Sequence, residues 1–121
     1  MIIVDTSIWI DHLGKPDARL VGLLDRSDVY CHPHVMGELG LGNLRQFDIV
    51  IRFMNKLPKP EIASDAEVLA MIKERKLHGT GIGYSDAHLI ASALLTPAAL
   101  IWSRDRRLNV VAQRFGIAWT N

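Results

Sequence analysis

The sequence predicts an α/β fold: a three-layer α/β/α sandwich with a mainly parallel sheet. Short apolar, β-branched runs alternate along the chain with longer segments whose apolar residues recur at helical spacing. Strands that alternate with helices form parallel sheets covered by helices on both faces. The chain has 121 residues, the usual length of one domain, so residues 1–121 are predicted to form a single domain.

The N-terminal part of the chain predicts a strand, a helix and a second strand. Residues 1–4 form an apolar run typical of a buried strand, and Thr6 or Ser7 can cap the turn of helix that follows. Residues 16–26 place their leucines and valine on one helical face. Residues 29–31 then predict a brief second strand, which completes the first strand, helix, strand unit.

Two further helices are predicted after the second strand. Residues 34–41 have a helical pattern despite two glycines, and residues 47–56 carry apolar residues at helical spacing until Pro58 and Pro60 interrupt the pattern. Residues 61–63 are interpreted as a possible third strand, because they form a short segment between the prolines and the next helix start.

A capping signal marks the start of the next helix. Ser64 stands three residues before Glu67, which is the spacing of a capping box, and the helix is predicted to run to about residue 77. The glycine-dense segment 78–83 must end that helix and turn the chain. Tyr84 or Ser85 then opens an apolar helix that continues to residue 95.

The C-terminal part predicts a strand, a helix and a last short strand. Residues 98–102 form an apolar run, and residues 104–115 place Leu108, Val111 and Phe115 on one face. Residues 117–119 predict the final strand.

Composition and charge leave the partner of this chain open. The formal net charge is +1 at pH 7, which argues against the strongly basic surface of many nucleic-acid binders. If several of the 13 acids gather beneath a cation, however, the remaining surface is rich in Lys and Arg. A bound metal would therefore make the face that meets an anionic substrate less negative.

The sequence predicts a cytoplasmic protein without membrane association. Its first apolar run is too short for the core of a signal peptide and lacks a basic start. No stretch approaches the roughly 20 apolar residues of a membrane span. Cys31 is the only cysteine, so an internal disulfide is impossible and a reducing compartment is compatible.

Four acids are the candidate functional residues: Asp5, Glu38, Asp86 and Asp105. Functional residues of open parallel sheets gather at the carboxyl ends of strands, near the point where strand order reverses. Asp5 and Asp105 follow predicted strands, and Asp86 lies in the first turn of a helix that leads back to the sheet. Clustered carboxylates stay ionised only around a cation. A set of carboxylates favours Mg²⁺, with Mn²⁺ as a substitute, whereas zinc prefers His or Cys.

These acids lie in four segments that together resemble the PIN-domain ribonucleases, in particular the VapC toxins of prokaryotic toxin–antitoxin pairs. The segments are VDTSIWIDHL, GEL, GIGYSDAHLIASAL and LIWSRDRRL, and their order and spacing match over nearly the whole chain. The resemblance implies a PIN-like fold in which Asp5, Glu38, Asp86 and Asp105 hold Mg²⁺.

The resemblance also implies supporting residues. Thr6 or Ser7, together with Ser103, would supply hydroxyl groups that support the acids. Relatives often carry a further acid two residues after the fourth acid, where this sequence has Arg107. We therefore expect one firm metal site and a conditional second.

The activity that this resemblance implies is endoribonucleolytic hydrolysis of RNA phosphodiester bonds, with a metal-bound water as nucleophile. Asp5 and Asp86 are expected to contact the metal, and Glu38 or Asp105 to orient the water or complete the coordination shell. An antitoxin protein whose tail blocks the metal site is the implied partner, and apolar residues between positions 16 and 56 are expected to supply its groove. A homodimer is also expected.

Each acid has a structural explanation beside the functional one. Asp5 can cap the turn after its strand, and Asp86 and Asp105 can each offset a helix macrodipole, a contribution of about 0.3 to 1 kcal/mol. Glu38 is harder to explain structurally, since apolar residues surround it in the sequence and a buried acid must reach solvent or a partner.

Three arginines next to the fourth acid are candidate substrate contacts. Arg104, Arg106 and Arg107 can bind RNA phosphates. A solvated helix start explains the same cluster about as well, so both interpretations stay open.

Two other functions compete with the ribonuclease interpretation. An aspartyl-phosphate phosphotransferase or phosphatase would also place an acid after the first strand, but such enzymes have a second acid two residues later, where this chain has Ser7. A non-catalytic RNA- or protein-binding module would not require all four acids. Cleavage of RNA in the presence of a metal separates these functions.

Overall fold

The computed structural model describes residues 1–120 and confirms the α/β fold. Seven helices surround a three-stranded sheet in this part of the chain. The strands are β1 (Ile2–Val4), β2 (Val29–Tyr30) and β3 (Leu100–Trp102). The helices are α1 (Thr6–Gly14), α2 (Ala18–Asp25), α3 (Pro33–Leu41), α4 (Phe47–Asn55), α5 (Asp65–Glu74), α6 (Tyr84–Leu95) and α7 (Arg106–Arg114).

The sheet is parallel, and β1 is its central strand. The strand order is β2-β1-β3, and β1 pairs with β2 from Ile2 opposite Val29 and with β3 from Ile2 opposite Leu100. The chain passes from β1 to β2 on one side and later adds β3 on the other side of β1, so the strand order reverses at β1. The carboxyl end of β1 is therefore the expected position of a functional site.

The apolar core lies on both sides of this sheet. Ile3 and Val4 of β1 have no exposed surface, since helices cover both faces of the sheet. Helix α6 is the most deeply buried helix, with every residue from 87 to 93 buried. Small side chains, among them Ala87 and Ala91, allow α6 to pack closely against its neighbours. No helix within residues 1–120 is long and apolar enough to cross a membrane.

The predicted third strand at residues 61–63 is absent, and that prediction was wrong. Pro58 and Pro60 lack the amide hydrogens that a strand needs for pairing. The Glu61 amide instead donates to the hydroxyl of Thr96 at 2.9 Å. Residues 61–63 therefore belong to no strand and have no sheet partner.

The predicted last strand is reduced to one isolated bridge. Ile101 of β3 pairs with Ala118 in parallel, and its amide and carbonyl groups bond to Ile117 and Trp119. The capping box predicted for α5 is confirmed, since the Ser64 hydroxyl accepts from the Glu67 amide and the Glu67 carboxylate accepts from the Ser64 amide.

Candidate active site

Asp5 lies at the carboxyl end of β1, and its carboxylate joins two strand ends. The side chain is 6% exposed. Its Oδ2 atom accepts hydrogen bonds from the hydroxyls of Ser7 at 2.8 Å and Ser103 at 2.7 Å. Ser103 follows β3, so the second bond crosses between neighbouring strands. Asp5 occupies the N-cap position of α1 without capping it through its side chain, and a purely capping role therefore does not explain this acid.

The two serine hydroxyls also bind the backbone that leads into α7. Ser103 Oγ accepts from the Asp105 amide at 2.9 Å, and Ser7 Oγ accepts from the Arg104 amide at 3.0 Å. Each hydroxyl thus donates to Asp5 while accepting from the turn that carries Asp105. This network fixes the first acid relative to the fourth.

Glu38 of α3 reaches the site edge through Thr6. Thr6 Oγ1 donates to Glu38 Oε1 at 2.8 Å, which links α1 to α3. The Glu38 side chain is exposed. The acid that sits among apolar residues in the sequence therefore satisfies both conditions for such a position: it reaches solvent and it has a hydrogen-bond partner.

Asp86 lies in the first turn of α6 and is partly buried. Its Oδ2 atom accepts from the Gly83 amide at 3.1 Å. Burial and, to a smaller extent, the negative charges of Asp5, Asp105 and Glu38 together raise the pKa of Asp86 to about 6, against the lowering effect of the Gly83 hydrogen bond. Asp5, Glu38 and Asp105 therefore lie within electrostatic range of Asp86.

Asp105 caps α7 and is exposed to solvent. Its Oδ1 atom accepts from the Leu108 amide at 3.1 Å. Asp105 therefore does have a structural role at the start of α7. Its charge nevertheless acts on Asp86, so the same carboxylate both caps a helix and contributes to the acidic group.

The carboxylates do not gather around one point within residues 1–120. No three His, Cys, Asp or Glu side chains in this range form a group that could hold a metal ion. Each of the four acids instead accepts a hydrogen bond from a hydroxyl or a backbone amide. The four candidate ligands are all carboxylates, and an all-oxygen donor set fits a hard divalent cation better than zinc.

The three arginines near Asp105 differ in their surroundings. Arg104 forms ion pairs with Asp11 at 2.6 Å and with Asp17 at 3.3 Å. These bonds tie the turn after β3 to α1 and to the start of α2, so Arg104 has a structural role. Arg106 and Arg107 instead line a groove along α7.

A histidine cluster behind the acids was not predicted as part of the site. The rings of His34 and His88 stack at 4.2 Å, and His34 Nδ1 lies 3.1 Å from the Ser85 hydroxyl. The buried ring of His32 bonds to Ser92 Oγ through Nε2 at 3.0 Å. These contacts join the start of α3 to α6, the helices that carry Glu38 and Asp86. Long sequence separation explains why the local pattern does not reveal them.

Comparison with known proteins adds an independent finding. A family model described as PIN domain matches residues 2–114. Two curated sequences named Ribonuclease VapC32, from the CDC 1551/Oshkosh and ATCC 25618/H37Rv strains of Mycobacterium tuberculosis, are each 42% identical over 118 residues. Each alignment covers 98% of this chain and 95% of the relative.

The fold also has a solved counterpart. The crystal structure of FitAcB from Neisseria gonorrhoeae is similar with a TM-score of 0.66 and 24% sequence identity. The match covers 100% of this chain and 97% of that chain. At this identity the likeness supports the fold alone.

Proposed function

The chain belongs to the PIN-domain family, and on that premise we propose that it is a divalent-metal-dependent endoribonuclease, the toxin of a toxin–antitoxin pair. The observation that carries the proposal is the position of Asp5. It stands buried at the reversal point of the sheet, bonded to hydroxyls from two strand ends. We propose that the protein cuts cellular RNA and therefore acts in the cytoplasm.

Mg²⁺ is the proposed cofactor, with Mn²⁺ as its substitute. Asp5 and Asp86 would contact the cation, and Glu38 and Asp105 would complete its surroundings. Bound there, the cation would lower the pKa of water and offset charge on the phosphate oxygens. Glu38 is the exposed acid bonded by Thr6, which suits it to orient an attacking water and to accept its proton.

We propose that Ser103 supports the acids, so its replacement should have a measurable effect on RNA cleavage. In Ser103→Ala, the Asp5 carboxylate loses one of two hydroxyl donors and the Asp105 amide loses its acceptor. We expect RNA cleavage to fall about 10- to 100-fold, the usual cost of removing a group that orients a metal ligand. The free energy of unfolding should fall by about 1 to 2 kcal/mol.

Ser64→Ala is the matched control for this variant. Ser64 caps α5, so the control should lose about 1 kcal/mol of stability while it keeps the parent rate of cleavage. Equal losses of rate in both variants would mean that the Ser103 effect is only loss of stability.

An antitoxin is the proposed protein partner, and the structure offers it a groove beside Glu38. This groove has a volume of about 620 Å³ and runs between α1, α3 and α4, with Ile10, Leu13, Leu39 and Val50 among its lining residues. A protein segment that buries the exposed side chains of Ile10 and Leu13 can also place a basic residue next to Glu38. A homodimer stays a prediction, which sedimentation of the purified chain would test.

A panel of RNAs incubated with Mg²⁺, with Mn²⁺ and with a chelator tests the proposed activity. We expect internal cleavage with either ion and none after chelation. Cleavage that persists unchanged in the chelator would contradict the metal dependence. Absence of cleavage, together with labelling of Asp5 by acetyl phosphate, would favour the phosphotransfer alternative.

A further inference from the structure

A groove follows helix α7, and it shares no lining residue with the groove beside Glu38. It encloses about 330 Å³, and we call it the α7 groove. Its lining residues are Thr80, Arg106, Arg107, Val110, Val111 and Arg114. Three of these six residues carry a positive charge and none carries a negative charge, so the α7 groove is a cationic surface.

The three guanidinium groups are not neutralised by ion pairs. Within residues 1–120, the carboxylates that form salt bridges do so with other groups, and none of them pairs with Arg106, Arg107 or Arg114. Arg104, in contrast, is bound to two carboxylates. Unpaired guanidinium groups on an exposed surface are suited to bind phosphate oxygens through two parallel hydrogen bonds.

Two of these arginines are held in place by the surrounding fold. The side chain of Arg107 crosses Gly81, where a Cβ atom would come within 2.9 Å of Arg107 Cδ. Gly81 also has a φ of 85°, so glycine serves both the turn and the close approach. Arg114 donates to the Arg75 carbonyl at 2.7 Å and lies over the Phe115 ring at 5.2 Å. Neither contact removes the positive charge.

The α7 groove begins beside the proposed active site. Asp105 is the N-cap of α7, and Arg106 is the first residue of the helix. From Arg106 to Arg114 the helix rises about 12 Å at 1.5 Å per residue. This length spans about three phosphates at the 3.4 Å axial spacing of a stacked strand. Val110 is 59% exposed, which offers an apolar contact to a base or ribose between the charged groups.

We propose that the α7 groove binds single-stranded RNA next to the bond that is cut, with Arg106, Arg107 and Arg114 contacting backbone phosphates. This inference rests on the proposed ribonuclease function and adds the path of the substrate. A protein segment is less suited to this groove, because at about 330 Å³ it is smaller than the groove of about 620 Å³ beside Glu38.

The test is the salt dependence of RNA binding in an Asp5→Asn background, in which cleavage is expected to be too slow to consume the probe during the measurement. The probe is a fluorescein-labelled oligouridine of ten nucleotides, and affinity is measured by anisotropy in Mg²⁺ at several salt concentrations. A triple variant changes Arg106, Arg107 and Arg114 to Gln. We expect its dissociation constant to rise at least about 10-fold, and the slope of log affinity against log salt to fall by about 2, since each lost contact with a single strand contributes about 0.7.

The matched control removes three positive charges from positions outside the α7 groove. Arg26, Arg52 and Lys73 are exposed on other helices or their ends, and their triple change to Gln should leave the slope close to that of the parent. A single Arg107→Lys change keeps the charge, so it should keep the salt slope of the parent while losing affinity with the second parallel hydrogen bond. Equal loss of slope in both triple variants would overturn the proposal, because it would then report net charge alone.

Two further outcomes separate this inference from the proposed function. If the triple groove variant binds oligouridine as tightly as the parent but no longer binds a labelled ten-residue glutamate peptide, the α7 groove serves an acidic protein. That result also overturns the proposal. In the Asp5-containing protein, the groove variant should raise KM for RNA and change kcat less than about 3-fold, because the acids are intact. An intact parent that cuts no RNA would contradict the activity, whatever the binding data show.

Discussion

Replacing Asp5 with Asn should lower RNA cleavage by about 1000-fold and leave the fold intact. Asn keeps the size of the side chain, and its carbonyl oxygen can still accept from the hydroxyls of Ser7 and Ser103. What is lost is the negative charge at the reversal point of the sheet. A metal-centred site contributes several kcal/mol to the transition state, and about 4 kcal/mol corresponds to three factors of ten in rate.

The measurement is the rate of internal RNA cleavage by parent and variant proteins in Mg²⁺. Circular dichroism and thermal unfolding must show that the Asp5→Asn protein is folded. Asp25→Asn, at the exposed end of α2, is the matched control and should cut RNA at the parent rate. A folded Asp5→Asn protein with the parent rate would refute the catalytic role of Asp5.

Replacing Asp86 with Asn should stabilise the metal-free protein and abolish its response to metal. Burial and neighbouring acids raise the pKa of Asp86 to about 6, so ionising this carboxyl costs more free energy in the folded protein than in the unfolded chain. The unfolded chain keeps the ordinary carboxyl pKa near 4. At pH 7.5 the free energy of unfolding of the variant should therefore exceed that of the parent by about 2 kcal/mol. Each unit of pKa is worth about 1.4 kcal/mol, and solvent screening reduces the total.

The pH dependence has a definite sign. As pH falls from about 6 towards 4, folded parent protein takes up a proton at Asp86 and loses the unfavourable charge. The advantage of Asp86→Asn over the parent should therefore disappear across that range. In Mn²⁺ the parent should gain thermal stability through binding to the folded state, whereas the variant should gain little.

Urea unfolding of both proteins from pH 4 to 8, with chelator or with Mn²⁺, measures these effects. Asp25→Asn again serves as the control and should match the parent throughout. A metal-free Asp86→Asn protein that is less stable than the parent at pH 7.5 would contradict the charge argument. An undiminished Mn²⁺ response in the variant would remove Asp86 from the proposed metal ligands.

The sequence predicts local features of this fold well, because their causes lie within a few residues. The strand ending at Asp5, the capping box of Ser64 and the helix that carries Asp86 all depend on neighbouring residues. The failed strand at residues 61–63 has a different cause. Whether a short extended segment pairs depends on a distant partner, and here Thr96 takes the amide that a strand would use.

The candidate site shows the same limit. Acids near strand ends can be recognised from the sequence, but their partners come from far along the chain. Ser103 reaches Asp5 across 98 positions, and Arg104 pairs with Asp17 across 87. Sequence position alone therefore groups Arg104 with Arg106 and Arg107, whereas the fold separates one paired arginine from two that line a groove.

Within residues 1–120 no three of these side chains form a metal-holding group, so the proposal is that the four acids come together around one cation when it binds. A crystal structure with Mn²⁺ tests this most directly. Anomalous scattering should reveal an ion with carboxylate oxygens of Asp5 and Asp86 at about 2.0 to 2.2 Å, close to the distances of hard divalent cations. Glu38 and Asp105 should lie around it, directly or through water. A structure at saturating Mn²⁺ with no ion between Asp5 and Asp86 would contradict the account.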